Sequence, residues 1–348
     1  MGTGIKKLFN TIINETVYRF PYPQGEAQSP SKCSPVRLWD TSIGSKNSGD
    51  QIIMHYCEKI VRDIFGDVRL LNVPTHVRPH RSELKDTAAF SFFCGTNILA
   101  SNMQQQSMWK LPFGAAGCSD IVMLGVGWNS YEEGAISDYT RRLLDEVFSK
   151  RFMHSVRDRY TYDKLKGLGY GNVLFTSCPT MWALNKELCQ NLPSAKGRTV
   201  ITTVTDYNKD PEKDACMLGI LKNSYDKVFC WLQGEGDLAY LESICRISDI
   251  ELIDGTFKAY TDILSNNRDM DYVGTRLHAG IHALNHGHRS VIIGIDNRAK
   301  EMGRDTNLPM LDRSLVDTDL ESMITGDLKT DIRLPEDNIR KWKEQFLK

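Results

Sequence analysis

The chain has 348 residues, 41% hydrophobic and 25% charged, with a formal net charge of −1 and a sequence pI near 6.7. That length accommodates two α/β domains. The near-neutral balance excludes a broad nucleic-acid surface, so any anion binding has to be local. Nine cysteines, an odd number without CxxC spacing, point to reduced thiols inside the cell, with Cys94, Cys178 and Cys230 buried in apolar runs. No apolar run approaches the roughly 20 residues that cross a bilayer, and the N-terminus lacks a signal-peptide core. The expected location is cytoplasmic.

Residues 4–18 place Ile5, Leu8, Phe9, Ile12, Ile13 and Val17 at helical spacing beside Lys6 and Lys7. This predicts a helix packed on the body or on a partner, with a peripheral anchor at the inner face of a membrane as the alternative. A Pro-rich connector follows to residue 35. A strand is then expected over 36–40, a Gly/Ser/Asn loop over 41–49, and a helix from Asp50 to Gly66 carried by Ile52, Ile53, Tyr56, Ile60 and Ile64. Strands are predicted at 68–73, 88–95, 120–128, 154–157 and 173–178, with helices at 136–148 and 160–168. Such alternation implies βαβ crossovers and parallel pairing.

A polar stretch at 193–197 marks the expected domain boundary, near residue 195. Beyond it strands are predicted at 199–205, 227–232 and 251–253, with helices from Pro211 and Gly236 and another ending at Leu264. A strand–helix–strand unit spans 271–300, and an amphipathic helix closes the sequence at 336–347 with Ile339, Trp342 and Phe346 on one face. The expected plan is an N-terminal segment (1–35), an N-terminal Rossmann-like domain (36–195) and a C-terminal one (196–348) that includes the last helix. A central cleft is expected between the two Rossmann-like domains.

The 271–300 unit carries the chemistry. Its first strand ends in Thr275-Arg276-Leu277-His278, and four of the eight histidines fall between His278 and His288. Ligands of open α/β sheets bind outside the carboxyl ends of strands, where helix N-termini attract anions. A guanidinium beside an imidazole at such a junction suggests anion capture with a proton donor adjacent. His278, His282 and His286 share a helix face, but HExxH is absent and no acidic residue lies within 279–290, so no metal site is expected. Asn47-Ser48-Gly49-Asp50 reads either as a plain helix cap or as a turn that lets Asn47 touch a ligand. Arg157, closing a short strand, either pairs with Asp158 or a neighbour or grips a carboxylate or phosphate with its fork.

Asn-Ser-Gly-Asp at 47–50, SVRDRYTYDKL, TSCPTMW, and TRLHAGIHALNHG followed by SVIIGIDNRAKEM resemble, in that order, the polysaccharide pyruvyl transferase family over residues 47–302. The resemblance implies a fold similar to GT-B glycosyltransferases and transfer of the enolpyruvyl carbons of phosphoenolpyruvate onto two sugar hydroxyls as a cyclic ketal. It implies that Arg157 and the Arg276-Leu277-His278 triplet hold the donor. Where many members have a glycine-rich run after the third strand, this sequence reads Cys94-Gly95-Thr96-Asn97, a departure that bears on acceptor recognition more than on donor recognition; Asn97 is a candidate substrate-binding residue in the N-terminal, acceptor-side domain. His278 is the expected acid and Asp50 the base, with Asp50, Tyr160 and His154 as alternative acids. Neither cofactor nor metal is called for, and the acceptor implied is a sugar or lipid-linked oligosaccharide. A nucleotide-sugar glycosyltransferase and a sugar- or phosphate-binding protein without turnover remain the alternatives.

Overall fold

The computed structural model describes Leu8, Ile12 and residues 35–84, 88–105, 107–110, 118–132 and 135–347. Leu8 and Ile12 are helical and more than half exposed. The other residues of the expected N-terminal helix and connector lie outside the described residues. Contacts divide the chain into two units, one of 1–45, 53–179 and 335–348 and another of 46–52 and 180–334.

The first unit holds β1 (Val36–Asp40), β2 (Leu70–Pro74), β3 (Phe90–Cys94) and β4 (Ile121–Leu124), paired in the order β2-β1-β3-β4 and parallel throughout. A second parallel pair, β5 (His154–Val156) with β6 (Val173–Phe175), continues this sheet. The link is a parallel bridge between Val126 and Val156. Most of these strands are buried along their length, which is why their sequences are continuous apolar runs rather than alternating ones. Helices α1 (Gly49–Phe65), α2 (Asp138–Val147) and α3 (Arg159–Gly167) supply the crossovers, because parallel neighbours cannot be joined by a tight turn. Helix α2 starts where Ser137 accepts the Thr140 N–H, and its Tyr139, Leu143, Leu144 and Val147 are buried. They join a core with Trp39 stacked on Phe93 and edge-on to Trp109.

The second unit contains helix α4 (Lys186–Gln190) and one six-stranded parallel sheet of β7 (Thr199–Thr202), β8 (Lys227–Trp231), β9 (Glu251–Ile253), β10 (Met270–Gly274), β11 (Ser290–Gly294) and β12 (Met310–Asp312). Its spatial order, β12-β11-β10-β7-β8-β9, is the 3-2-1-4-5-6 order of a Rossmann fold. Between the strands run α5 (Pro211–Ser224), α6 (Asp237–Ile244), α7 (Phe257–Asn266), α8 (Leu277–Asn285) and α9 (Asn297–Thr306), and α10 (Val316–Thr325) follows β12. Helix α5 has Asp210 accepting the Lys213 N–H and proline in its first turn, so its start is fixed locally. Buried Arg289 pairs with Asp271 at 2.8 Å and donates to the carbonyls of Met323, Ile324 and Gly326, closing the C-terminal end of α10.

Two boundaries differ from the sequence reading. The first unit ends at Pro179, not near residue 195. The closing helix, α11 (Glu336–Glu344), packs on β5 and β6 and belongs to the first unit, where the sequence reading gives it to the C-terminal domain. The cause is aromatic: Phe346 meets Phe90 and Phe92 at 5.5 and 5.2 Å. Polar bonds fix the register, with Gln345 accepting the Met153 N–H and Asn338 donating to Phe175 O. The eight described cysteines are free thiols, Cys94, Cys178 and Cys230 among the buried ones. Among the described residues no helix is long and apolar enough to cross a membrane.

Candidate active site

In the second unit the strand order reverses between β7 and β10, the place where open sheets of this kind bind ligands. The two strand ends are bonded together there. Thr275 N–H donates to Thr203 O and Arg276 N–H to Thr203 Oγ1, both at 3.1 Å. Gly274 leaves no room for a side chain, since a Cβ would stand 2.7 Å from Thr203 N. Arg276 is the N-cap of α8, and no side chain caps the helix. Its first-turn N–H groups and positive dipole end therefore face out of the carboxyl edge of the sheet. Leu277 and His278 sit in that turn, each 8% exposed.

The Arg276 guanidinium does not extend freely from this junction. It is buried, donating from Nε to Val204 O at 3.0 Å and from Nη2 to Asp237 at 2.5 Å and Asp206 at 3.1 Å. Nη1 makes no bond among the described residues. The ring of Tyr207, itself exposed, lies 5.0 Å from the guanidinium carbon. Burial pushes the Asp237 carboxyl above its ordinary range, against the pull of Arg276 and the Gly234 N–H. Arg276 is thus first a part of a buried ion pair that fixes the start of α8, with one nitrogen left over.

The Asn-Ser-Gly-Asp turn belongs to the same network. Asn47 forms an antiparallel bridge with Gly234, and Ser48 N–H donates to Gln233 O at 3.0 Å. Asn47 Oδ1 accepts the Gly49 N–H at 3.0 Å and Gln233 Nε2 at 2.6 Å. The Asn47 amide oxygen thus ties the turn before α1 to Gln233 and is already occupied. Gly234 N–H donates in turn to Asp237 Oδ2 at 2.7 Å. A continuous path of bonds thus runs from the turn through Gln233, Gly234 and Asp237 to Arg276. Asp50 stands half-buried in the first turn of α1. Sequence reasoning missed Asp206, Gln233 and Asp237; the available signal was polar residues in the loops and helix start that follow apolar strands.

In the first unit the same carboxyl edge carries strained backbone. Gly95 and Thr96 after β3, Gly125 after β4 and Ser177 after β6 have φ of 60°, 58°, 70° and 63°. Left-handed Thr and Ser are uncommon and persist where surroundings over-determine them, often at functional sites. Arg157 follows β5 with 2% exposure, pairing through Nε with Asp158 at 3.1 Å. Asp158 also caps α3 by accepting the Thr161 N–H at 2.7 Å. The ion-pair reading of Arg157 is therefore realised, yet its Nη2 has no hydrogen-bond partner among the described residues, and neither does Asn97 Oδ1 after β3.

His154 opens β5 and so lies at the opposite, amino edge. Its Nδ1 accepts the Met123 N–H and its Nε2 donates to Ser149 O, which leaves no nitrogen for chemistry. Tyr160 bonds to the main chain of Glu132. On α8, His282 Nε2 lies 3.1 Å from Thr261 Oγ1, and His286 Nδ1 lies 2.9 Å from His282 O. Among the described residues no group of three or more His, Cys, Asp or Glu side chains could hold a metal ion.

Two parallel α/β units with polar and strained residues at the carboxyl ends of their strands define a two-unit Rossmann-like protein. The chain belongs to the polysaccharide pyruvyl transferase family, whose profile matches residues 47–297. No curated protein matches it in sequence. Similar solved structures include the MnaA–UDP complex of S. aureus, 10% identical over 90% of this chain and 96% of that one, with a TM-score of 0.49. The UDP-GlcNAc 2-epimerase of Methanocaldococcus jannaschii with UDP-GlcNAc and UDP is 10% identical over 89% and 99%, also with a TM-score of 0.49. E. coli heptosyltransferase WaaC with ADP-2-deoxy-2-fluoro heptose is 9% identical over 74% and 88%, with a TM-score of 0.35. At these scores the fold is read from the sheet orders above.

Proposed function

We propose that this protein moves the enolpyruvyl carbons of phosphoenolpyruvate onto a pair of sugar hydroxyls, closing a pyruvate ketal on a surface polysaccharide or its lipid-linked precursor. The observation that carries the reading is Arg157, a buried guanidinium in a member of this family whose Nη2 lacks an acceptor among the described residues. An unsatisfied buried donor costs about 1–3 kcal/mol, and more when charged. A carboxylate or phosphate oxygen removes that cost with a charge-assisted bond. In the second unit, the uncapped start of α8 suits an anionic group as well. There Leu277 contributes through its main chain, its side chain being apolar, and Arg276 through Nη1.

His278, in the first turn of α8, is the acid in this reading. It protonates C3 of the donor, which becomes the methyl carbon and leaves C2 electron-deficient. A sugar hydroxyl oxygen bonds to C2 and loses its proton to a base, a role assigned to Asp50. The second hydroxyl then displaces phosphate from C2 and closes the ring. One donor and one diol give one ketal and one inorganic phosphate, with no change of oxidation state and no metal in the balance.

The uncapped α8 at the strand-order reversal suits a nucleoside diphosphate as well, so a nucleotide-sugar glycosyltransferase is the second reading. Phosphate release from phosphoenolpyruvate across a panel of lipid-linked sugars separates the two. The expected product is heavier than its acceptor by one pyruvate less one water. Consumption of a nucleotide sugar, with phosphoenolpyruvate untouched, would replace the first reading by the second.

A further inference from the structure

Tyr207 follows β7 at the strand-order reversal, and its ring is held in place without being buried. It is 56% exposed, yet the Arg276 guanidinium carbon stands 5.0 Å over the ring. Arg298, at the start of α9, donates from Nη2 to the phenolic oxygen at 2.6 Å. Both chain neighbours are tied down as well. Asp206 N–H donates to Asp237, and Asp206 Oδ1 accepts from Arg276, each at 3.1 Å. Asn208 Nδ2 donates to Ile295 O at 2.8 Å. The loop thus reaches from the end of β7 past the end of β10 to that of β11. An exposed tyrosine ordinarily loses rotamer freedom when it meets a ligand; here that ordering is already done.

One face of the ring covers Arg276, and the other is turned away from the ion pair. The side chain makes no further hydrogen bond or ring contact among the described residues. Asp206 meets the same guanidinium, which sets its carboxylate beside the ring. Its Oδ2 takes no hydrogen bond among the described residues, and its side chain is 29% exposed. A carboxylate oxygen accepts only, so this one repels a second anion and takes a hydroxyl proton. A pyranose has C–H groups across a ring face, which a flat apolar ring covers, and hydroxyl donors around its edge. We propose that Tyr207 and Asp206 form a subsite for the acceptor sugar, stacked ring on ring with one hydroxyl donating to Asp206 Oδ2. Arg276 is the N-cap of α8, so the sugar lies beside the helix start assigned to the donor anion. The subsite rests on the ketal-forming reading only in naming the sugar as acceptor.

The test follows methyl β-galactopyranoside and methyl α-glucopyranoside by saturation-transfer NMR on the full chain, without donor. The wild type should bind at least one, with saturation concentrated on the C–H groups of one sugar face. Tyr207→Phe keeps the flat face, so its affinity should stay within about threefold. Tyr207→Leu keeps an apolar cover on Arg276 but no flat face, and should bind about fivefold more weakly or worse. Asp206→Asn exchanges the charged acceptor for an amide and should weaken binding about threefold or more. Phosphoenolpyruvate affinity should stay within about threefold in Tyr207→Leu. Unchanged glycoside binding in Tyr207→Leu or Asp206→Asn, or an equal loss of phosphoenolpyruvate binding in Tyr207→Leu, would overturn the subsite. Binding of neither glycoside by the wild type, or even saturation of both sugar faces, would overturn it without any variant. Uridine monophosphate bound in place of both glycosides would overturn it and favour the nucleotide-sugar reading. Failure of the wild type to bind phosphoenolpyruvate would strike the donor assignment instead, and the glycoside contrast would still decide this one.

Discussion

Replacing His154 by glutamine should flatten the acid limb of the protein's stability. His154 is 3% exposed, and its two ring nitrogens are fixed in opposite roles: Nδ1 accepts the Met123 N–H at 3.1 Å, and Nε2 lies 2.8 Å from Ser149 O. Protonating Nδ1 would set one N–H against another. Burial lowers the pKa from 6.5 to about 4, with the Ser149 carbonyl and Asp120 pulling the other way. The folded value is below the unfolded one, so the contribution is complete above pH 6.5 and is lost as pH falls toward 4. Between pH 7.5 and pH 5 that loss comes to about 2 kcal/mol. Glutamine can present an oxygen to Met123 and an N–H to Ser149 without titrating. Urea midpoints of both proteins at pH 7.5 and 5.0 measure the difference, since other groups titrate alike in the pair. Parallel losses in wild type and His154→Gln would refute the buried neutral imidazole.

Arg157→Lys keeps the charge but loses the fork, so phosphoenolpyruvate affinity should fall about tenfold by calorimetry. Gly127→Ala should reproduce the effect, because its methyl carbon takes the place of the guanidinium. Unchanged affinity in these variants would leave Arg157 with its structural ion pair alone. His278→Ala should keep phosphoenolpyruvate binding while turnover drops by about 10²-fold or more. In deuterated water the wild-type product methyl should carry one solvent deuteron, and a variant that turns over normally would remove His278 from proton transfer.

The strand–helix rhythm of both units is readable because parallel strands buried on both faces must be apolar runs and their crossovers must be helices. Strands β1 and β9 fall on the expected residues, and Arg276, Leu277 and His278 stand at the expected strand-to-helix junction. The sequence reading assigns no element to 303–335, although Val316, Leu320 and Ile324 are buried at helical spacing in α10. Helix α9 is harder to see, for its ten residues are mostly polar and its start depends on Asp296 as cap. The company Arg276 keeps was not legible at all. Asp206 and Asp237 reach it only because β7 lies between β10 and β8, and one sequence does not state strand order. His154 and Arg157, three residues apart, look alike as candidates on paper. A three-residue strand that begins at His154 and ends just before Arg157 puts them on opposite edges of the sheet.

The return of α11 to the first unit has a consequence for synthesis. The sheet that begins at Val36 lacks its covering helix until residues 180–334, 155 of them (334 − 180 + 1), have been made. At roughly 5–20 residues per second, the wait is on the order of 8–30 s. During it the faces of Phe90 and Phe92 that Trp342 and Phe346 cover are open to water or to a chaperone. A ribosome-bound chain stopped before residue 335 should therefore carry an adhesive first unit beside a second unit whose own residues have all been made.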